Sequence, residues 1–116
     1  MNRRELGGRG EAAAAAFLAR QGFRVLDRNY RSRFGEIDLV CQDGPGVVFV
    51  EVKSRQSDEF APPLASVGAR KQAKLRQLAQ EYLISHRLET VEARFDVLSI
   101  VLGPGDPAIE HIRGAF

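Results

Sequence analysis

The chain has 116 residues, of which 44% are hydrophobic and 28% charged, so residues 1–116 suit one globular α/β domain and exclude a second. No apolar run approaches the roughly 18 residues of a membrane span, and "MNRRELGGRG" lacks the apolar core of a signal peptide. We therefore expect a cytoplasmic protein without a membrane partner. A single cysteine, Cys41, excludes an internal disulfide and a thiolate zinc site, and we predict that it is a small apolar strand residue.

The net charge of +2 conceals alternating blocks of charge. Residues 1–35 hold eight arginines and three acids, residues 36–52 hold four acids and no base, and residues 53–80 hold six bases and two acids. This pattern is typical of a polyanion held by basic residues around a cation site, because phosphates require positive partners and a metal requires carboxylates. An ordinary charged surface explains the same pattern, and charge alone does not separate the two interpretations.

The predicted elements begin with a helix over "GEAAAAAFLARQG" (residues 10–22), where alanines favour the helix and Gly22 is placed as its left-handed cap. Strands are predicted at residues 23–31, 36–41 and 47–54, the last two joined by the turn "QDGPG". A second helix follows at residues 67–87, then a strand at 94–102 and a short fifth strand at 108–112. The order αβββαβ predicts a mixed sheet flanked by helices, in which the helical crossover makes the fourth strand parallel to the third.

Charged residues alternate with apolar ones in "GEIDLVCQDGPGVVFVEVKSR". If the turn is centred between Gly44 and Pro45, the register of this hairpin follows. It pairs Asp38 with Glu51, Glu36 with Lys53, and Val40 with Phe49.

Two opposed carboxylates destabilise a sheet, and a divalent cation such as Mg²⁺ compensates by taking one or two carboxylates together with phosphate oxygens. Lys53 would then direct its charge at the scissile phosphate or position the attacking water. The alternative is a solvated face with a Glu36–Lys53 cross-strand pair. Glu11 shares a helix face with apolar residues and is a candidate third ligand, although a first-turn acid that favours the helix dipole explains it equally well.

A helix bearing Glu11, then "GEID", a turn and "VEVK" together resemble the PD-(D/E)XK nuclease superfamily. Within it, "GEIDLV", "VFVEVKSR" and "RFDVL" resemble the YraN family, whose members are similar to archaeal Holliday junction resolvases. The resemblance implies a restriction-endonuclease-like fold, catalysis that depends on Mg²⁺ or Mn²⁺, and a homodimer as a candidate assembly. Carried over by position, it makes Asp38 and Glu51 metal ligands, Lys53 the catalytic lysine and Glu11 the acid of the helix.

Basic residues on both sides of the acidic strands are candidates for nucleic-acid contacts. "RNYRSRFGE" interleaves arginines with Tyr30 and Phe34, a composition suited to phosphate contacts and to stacking on unpaired bases. Positive charge in the first turns of the second helix opposes the helix dipole and is better explained by an external anion, although a solvated basic face remains an alternative. The candidate nucleic-acid-binding residues are Arg28, Arg31, Arg33, Arg55, Arg70, Lys71, Gln72 and Lys74.

Three other patterns are interpreted as structural. "GGRGEA" matches half of a dinucleotide fingerprint, but no strand precedes it, so that function is rejected. Asp96 in "RFDVL" is expected to pair with Arg94 or to have another structural role rather than to bind metal, and the two histidines, His86 and His111, are expected at the surface.

The leading hypothesis is a divalent-metal-dependent endonuclease that hydrolyses DNA phosphodiesters, with branched DNA among its candidate substrates. The alternative is a nucleic-acid-binding or adaptor protein that keeps the nuclease fold without its chemistry. A purely structural acidic face is a third interpretation, and it predicts that an amide at position 38 or 51 changes only stability.

Overall fold

The computed structural model describes residues 1–58 and 67–116. The predicted polar connection containing "APP" lies largely outside these residues. No helix in the two described ranges is both long enough and apolar enough to cross a membrane. The elements are α1 (Arg3–Arg20), β1 (Arg24–Ser32), β2 (Gly35–Asp43), β3 (Gly46–Gln56), α2 (Ala69–Ser85), β4 (Ala93–Leu102) and β5 (Ala108–Ile112).

The five strands form one mixed sheet in the order β1-β2-β3-β4-β5. Strands β1, β2 and β3 are antiparallel neighbours, β3 and β4 are parallel, and β5 returns antiparallel to β4. The predicted mixed α/β order and the parallel pairing after the α2 crossover are therefore confirmed, and the fifth strand is present with the predicted bounds. The predicted hairpin register holds near the turn, where Val40 lies opposite Phe49, but the pairing ends at Leu39 and Val50, so the predicted ladder pairs Asp38–Glu51 and Glu36–Lys53 do not form.

The sheet has a hydrophobic core on each face, each covered by one helix. On one face, Ala14 and Leu18 of α1 pack with Leu39, Val48 and Leu98 of the sheet. Cys41 is buried in the same core, as predicted for a small apolar strand residue. On the other face, side chains of α2 pack on the sheet: Leu75, Leu78 and Tyr82 against Val40, Phe49 and Phe95. Complete burial of a leucine or phenylalanine side chain contributes about 1.5–3 kcal/mol, so these two layers fix where each helix lies.

Helix α1 begins seven residues before the predicted start at residue 10, so that boundary was wrong. The side chain of Asn2 caps the helix by accepting a hydrogen bond of 2.8 Å from the backbone N–H of Glu5. Three glycines in the first turns lower helix propensity by about 1 kcal/mol each relative to alanine, which is why sequence pattern favours a later start. The backbone of "GGRGEA" is helical and no strand precedes it, which agrees with its rejection as a dinucleotide-binding motif.

The end of α1 agrees with the prediction. Gly22 has a φ of 90°, and the backbone N–H of Phe23 donates to the carbonyl of Leu18 at 2.9 Å. This pattern is a Schellman motif, in which glycine takes the left-handed position at no steric cost. Because Leu18 and Phe23 are both buried in the α1-side core, the cap also directs the chain into β1.

Candidate metal and nucleic-acid site

The candidate site lies where β2 and β3 separate. In the described chain, their pairing ends at Leu39 and Val50. Beyond this point, the backbone N–H of Val52 donates to Oδ2 of Asp38 at 2.8 Å, so a carboxylate replaces the backbone carbonyl expected in a regular ladder. The opening exposes part of both strands to the same space, and it leaves the Asp38 carboxylate between them.

Side-chain alternation along β2 is interrupted at the same place. Ile37 and Val40 both belong to the α2-side core although they are three residues apart, whereas Leu39 packs on the α1 side. Strict alternation would place Ile37 and Leu39 on one face. The strand therefore changes direction around Asp38, and a prediction based on alternation alone does not locate its carboxylate.

Three carboxylates converge at this opening. Ligand oxygens of Glu11, Glu36 and Asp38 all lie within 4.8 Å of one another, and all three residues are half-buried. Oxygens on opposite sides of an octahedral Mg²⁺ are about 4.2 Å apart, since each Mg–O distance is about 2.1 Å. The three side chains therefore fit a hard divalent cation after small movements.

This group differs in one member from the predicted ligand set of Asp38, Glu51 and Glu11. Glu36 takes the place of Glu51, and its carboxylate is 3.3 Å from Nε of Arg31. Glu36 lies two residues before Asp38, and this spacing is the feature of the sequence that places it near the cluster. The predicted hairpin register pairs it with Lys53, so it is not among the predicted ligands. Arg31 faces it across β1 and β2, where the two residues are paired in register.

Glu51 lies beside Asp38 but has a cation partner. Nζ of Lys71 on α2 is 3.1 Å from Oε2 of Glu51, whose side chain is only 10% exposed. The Asp38 carboxyl also hydrogen-bonds with Glu51. The predicted proximity of these two acids is therefore present, and Lys71 supplies positive charge on the side facing α2.

The pKa of Asp38 is raised to about 8, mainly because burial disfavours its charged form. The hydrogen bond with Glu51 and the negative charges of Glu51 and Glu11 raise it further, while the hydrogen bond from Val52 lowers it. In the absence of a cation, the cluster thus retains a proton at neutral pH. A bound divalent cation would stabilise the ionised carboxylate instead.

Glu11 reaches the opening because α1 lies very close to β3 one residue earlier. A Cβ on Gly10 would lie 2.8 Å from Cβ of Ser54 and closer still to the Ser54 hydroxyl. Gly10 is buried, whereas a Cβ on Gly7 or Gly8 would meet no heavy atom within 4 Å. The absence of a side chain at Gly10 therefore sets the distance between the helix acid and the sheet.

Lys53 lies two residues after Glu51 on β3, and it is paired in register with Ser99 of β4. It is half-buried. It lies on the part of β3 that no longer pairs with β2, and its predicted catalytic role stays a prediction. Arg55 follows two residues later on the same strand and is also half-buried.

The predicted basic residues of α2 border a groove of about 590 Å³ between the start of that helix and the β1–β2 turn. Its hydrophobic lining residues are Phe34 of the turn and, on α2, the almost completely buried Leu75 and Leu78. Glu36 also lines it, so the groove opens directly beside the three carboxylates. Its charged lining residues on α2 are Arg70, Lys71 and Lys74.

The other predicted nucleic-acid contacts have different surroundings. Arg28 is exposed on the edge strand β1, and the guanidinium of Arg33 lies 4.9 Å from the centroid of the Phe34 ring. Gln72 donates from Nε2 to the carbonyl of Val67 at 2.7 Å, so its amide helps to begin α2. Tyr30 donates from its hydroxyl to Glu81 at 2.7 Å, which leaves Phe34 as the aromatic residue of "RNYRSRFGE" that borders the groove.

A second acidic position, Asp96, has the predicted structural environment. It is fully buried, and Nε of Arg94 donates to its Oδ1 at 3.0 Å. The backbone N–H of Gly114 and Nε2 of His111 complete its contacts, at 3.0 and 2.7 Å. The prediction of an Arg94 partner is confirmed, but His111 is not a surface residue: its side chain is 9% exposed, because β5 pairs with β4 beside Asp96.

Comparisons with known proteins identify relatives along almost the whole chain. The Uncharacterised protein family UPF0102 matches residues 10–100. The chain is 48% identical to a UPF0102 protein of Moorella thermoacetica over 118 residues, which cover 100% of this chain and 98% of that one. It is 48% identical to a UPF0102 protein of Syntrophus aciditrophicus over 92% of this chain and 84% of the relative.

A third UPF0102 protein, from Anaeromyxobacter dehalogenans, is 46% identical over 98% of this chain and 85% of its own. Matches of this extent confirm the resemblance to the YraN family that "GEIDLV" and "VFVEVKSR" indicate. The chain belongs to the UPF0102, or YraN, family.

Proposed function

We propose that this protein is a divalent-metal-dependent endonuclease that hydrolyses phosphodiester bonds in DNA. The observation that carries the proposal is the shared position of Glu36, which belongs to the carboxylate cluster and also lines the basic groove. A polyanion in the groove would thus have a phosphate next to a cation site. A nuclease site requires both parts side by side, a cation site at the reacting phosphate and positive charge along the rest of the strand.

The arrangement is consistent with a PD-(D/E)XK nuclease-like fold. The residues of the expected motif lie around the point where two central strands separate: Glu11 on the first helix, Asp38 on β2, and Glu51 and Lys53 on β3. The mixed sheet with one helix on each face is compatible with that fold. Branched DNA, including a Holliday junction, is the substrate that the family's similarity to junction resolvases suggests.

Glu11, Glu36 and Asp38 would hold Mg²⁺ or Mn²⁺, and Glu51 would join or orient them. Such an ion polarises a phosphoryl oxygen and lowers the pKa of bound water. Lys53 would place its positive charge where negative charge develops on the phosphate. Lys71 holds Glu51 in position from the side of the groove.

The direct test compares cleavage of an end-labelled four-way junction and a matched linear duplex, in Mg²⁺, Mn²⁺ or chelator. We expect metal-dependent nicking by the wild type and a loss of at least about 100-fold in Asp38→Asn, as for removal of one transition-state-stabilising group. Glu89→Gln, at an exposed acid away from the site, is the matched control. Absence of nicking by folded wild type, with salt-sensitive DNA binding that survives Asp38→Asn, would favour the non-catalytic binding function.

Metal binding can be measured without cleavage, through Mn²⁺ titrations followed by electron paramagnetic resonance. We expect Glu36→Gln and Asp38→Asn each to weaken Mn²⁺ binding at least about tenfold, since even outer contacts of a metal site contribute that much. If Glu51→Gln weakens binding and Glu36→Gln does not, the set of ligands implied by the family resemblance is the better description.

A further inference from the structure

The groove beside the acidic cluster combines a hydrophobic aromatic surface with a positively charged rim, and a continuous DNA duplex does not contact both in this way. Its volume of about 590 Å³ lies within the range of about 300–1,000 Å³ typical of small-molecule pockets. Leu75 and Leu78 lie at its base but are almost completely buried, at 4% and 1% exposure, so the half-buried Phe34 is the more accessible hydrophobic side chain of its lining. A paired base has both faces stacked in the duplex, so it cannot also stack on an aromatic ring of the protein.

The rim of the groove is positively charged. Neither Arg70 nor Lys74 forms an ion pair with a residue that the structure describes, and both side chains are exposed. The first turn of α2 contains no acid, so its positive charges oppose the helix dipole. Charge complementarity therefore points to an occupant with phosphates as well as an apolar face.

One wall of the groove is aromatic. Phe34 lies in the turn between β1 and β2, and the Arg33 guanidinium lies above its ring, 4.9 Å from the centroid. Aromatic rings and guanidinium planes are the surfaces on which proteins stack unpaired bases. Glu36 connects this wall to the carboxylate cluster.

We propose that this groove holds an unpaired nucleotide of a DNA strand, with its base against Phe34 and its phosphates against Arg70 and Lys74. The inference rests on the proposed nuclease function and specifies its substrate class: the phosphodiester next to an unpaired nucleotide is the one that meets the acidic cluster. Overhangs, flaps and unstacked junction nucleotides supply this feature, whereas a blunt continuous duplex does not.

The test measures binding in Ca²⁺ by fluorescence anisotropy, with the Asp38→Asn protein to prevent cleavage. The probes are a blunt duplex, the same duplex with a four-nucleotide overhang, and a single strand. We expect the overhang and the single strand to bind at least tenfold more tightly than the blunt duplex. An equally tight blunt duplex would overturn the inference.

Two variants separate base contacts from phosphate contacts. Phe34→Leu keeps an apolar side chain and should reduce the preference for the overhang at least fivefold, with little change in duplex affinity. Lys74→Gln should weaken all probes and lower the slope of log affinity against log salt by about one. The control is Arg20→Gln, at an exposed cation at the end of α1, which should change neither the preference for the overhang nor the salt dependence of binding. An unchanged preference in Phe34→Leu would contradict the proposed base contact.

Two further measurements make the failures distinguishable. The base analogue 2-aminopurine, placed at the first overhang position, should lose fluorescence on binding the protein with Phe34 but not the Phe34→Leu variant. Free thymidine monophosphate should compete only at concentrations at least 100-fold above the overhang, and stronger competition would indicate a nucleotide site instead. Equal cleavage of all probes by wild type in Mg²⁺ would support the proposed nuclease function and contradict this inference. A preference for the overhang in binding, without any cleavage, would support the nucleotide-binding groove and contradict the nuclease function.

Discussion

Asp38 and Asp96 are both withdrawn from solvent on neighbouring parts of one sheet, yet their carboxylates have opposite properties. Asp96 is completely buried, and its pKa is lowered: burial alone would raise it, but hydrogen bonds from Arg94, Gly114 and His111 outweigh that effect. Asp38 is only half-buried, and its pKa rises to about 8 through burial and then through Glu51. The partners of a buried carboxyl, rather than its depth, decide its charge.

The difference also separates a structural acid from the acid for which we propose a function. Donors surround Asp96 without any external ion, as expected for a buried charge that stabilises a fold. Around Asp38, the neighbouring groups include two other acids of the cluster and Glu51. An arrangement of this kind is unfavourable unless a cation or a proton compensates it, and perturbed carboxyls in a cleft are frequent at active sites. Four substitutions test this contrast.

The largest effect is expected for Asp96→Asn. It removes the charge that Arg94 and His111 contact, and disruption of a buried pair costs roughly 3 kcal/mol. Because the pKa of Asp96 is lowered in the folded state, its stabilisation is present above the ordinary carboxyl pKa and is lost as the pH falls. Urea unfolding should therefore show the largest loss in the free energy of unfolding of the variant at neutral pH. A free energy of unfolding within about 0.5 kcal/mol of wild type, the scale of ordinary surface substitutions, would contradict this role.

Asp38→Asn should act in the opposite direction in chelator. The folded pKa of about 8 exceeds the ordinary value of 3.8, so the favourable contribution of the protonated carboxyl is complete below about pH 4 and is lost as the pH rises through 8. The amide cannot ionise and still accepts from Val52. We expect the variant to gain about 2 kcal/mol over wild type between pH 4 and 9.

Chemical unfolding at both pH values, in chelator, measures this gain. An equal stability difference at the two pH values would show that Asp38 is ionised normally. Saturating Mn²⁺ should then reverse the order of stability, because the ion stabilises the folded wild type more than the variant.

Gly10→Ala tests whether close packing positions the helix acid. A methyl group there meets Ser54 and must displace α1 or β3, which typically costs about 1–3 kcal/mol. Because Glu11 is the next residue, Mn²⁺ affinity should also fall, by about threefold to tenfold. The matched control is Gly8→Ala, which meets no atom within 4 Å and should stabilise α1 by about 0.5–1 kcal/mol with unchanged Mn²⁺ affinity. Equal effects of the two substitutions would exclude a positioning role for the Gly10 contact.

Lys71→Met should have the smallest effect on stability. Lys71 is 53% exposed, and its pair with Glu51 is worth no more than about 1 kcal/mol. Its removal leaves the acidic cluster with less positive charge, so Mn²⁺ should raise the melting temperature of the variant more than that of wild type. Differential scanning fluorimetry with and without Mn²⁺ measures both shifts, and a smaller Mn²⁺ response in the variant would show that Lys71 does not compete with the ion for these carboxylates.

Local patterns in the chain were sufficient to predict the order of elements, the hairpin register as far as Leu39 and Val50, and the proximity of Asp38 to Glu51. These features depend on local rules: side-chain periodicity, a glycine-rich turn and the two-residue repeat of a strand. A structural role for Asp96, with Arg94 as one candidate partner, was also predictable because the two residues lie two positions apart on one strand. A motif shared with known nucleases led to the family, and the family is confirmed.

The packing of separate elements determines which acids meet and what surrounds them. Glu36 joins Glu11 and Asp38 because β2 leaves β3 after Leu39, and because α1 contacts β3 at Gly10, which has no side chain. Lys71 reaches Glu51 from a helix 20 residues away in sequence, and β5 brings His111 to Asp96. These contacts result from many small interactions between distant parts of the chain, so no local pattern specifies them.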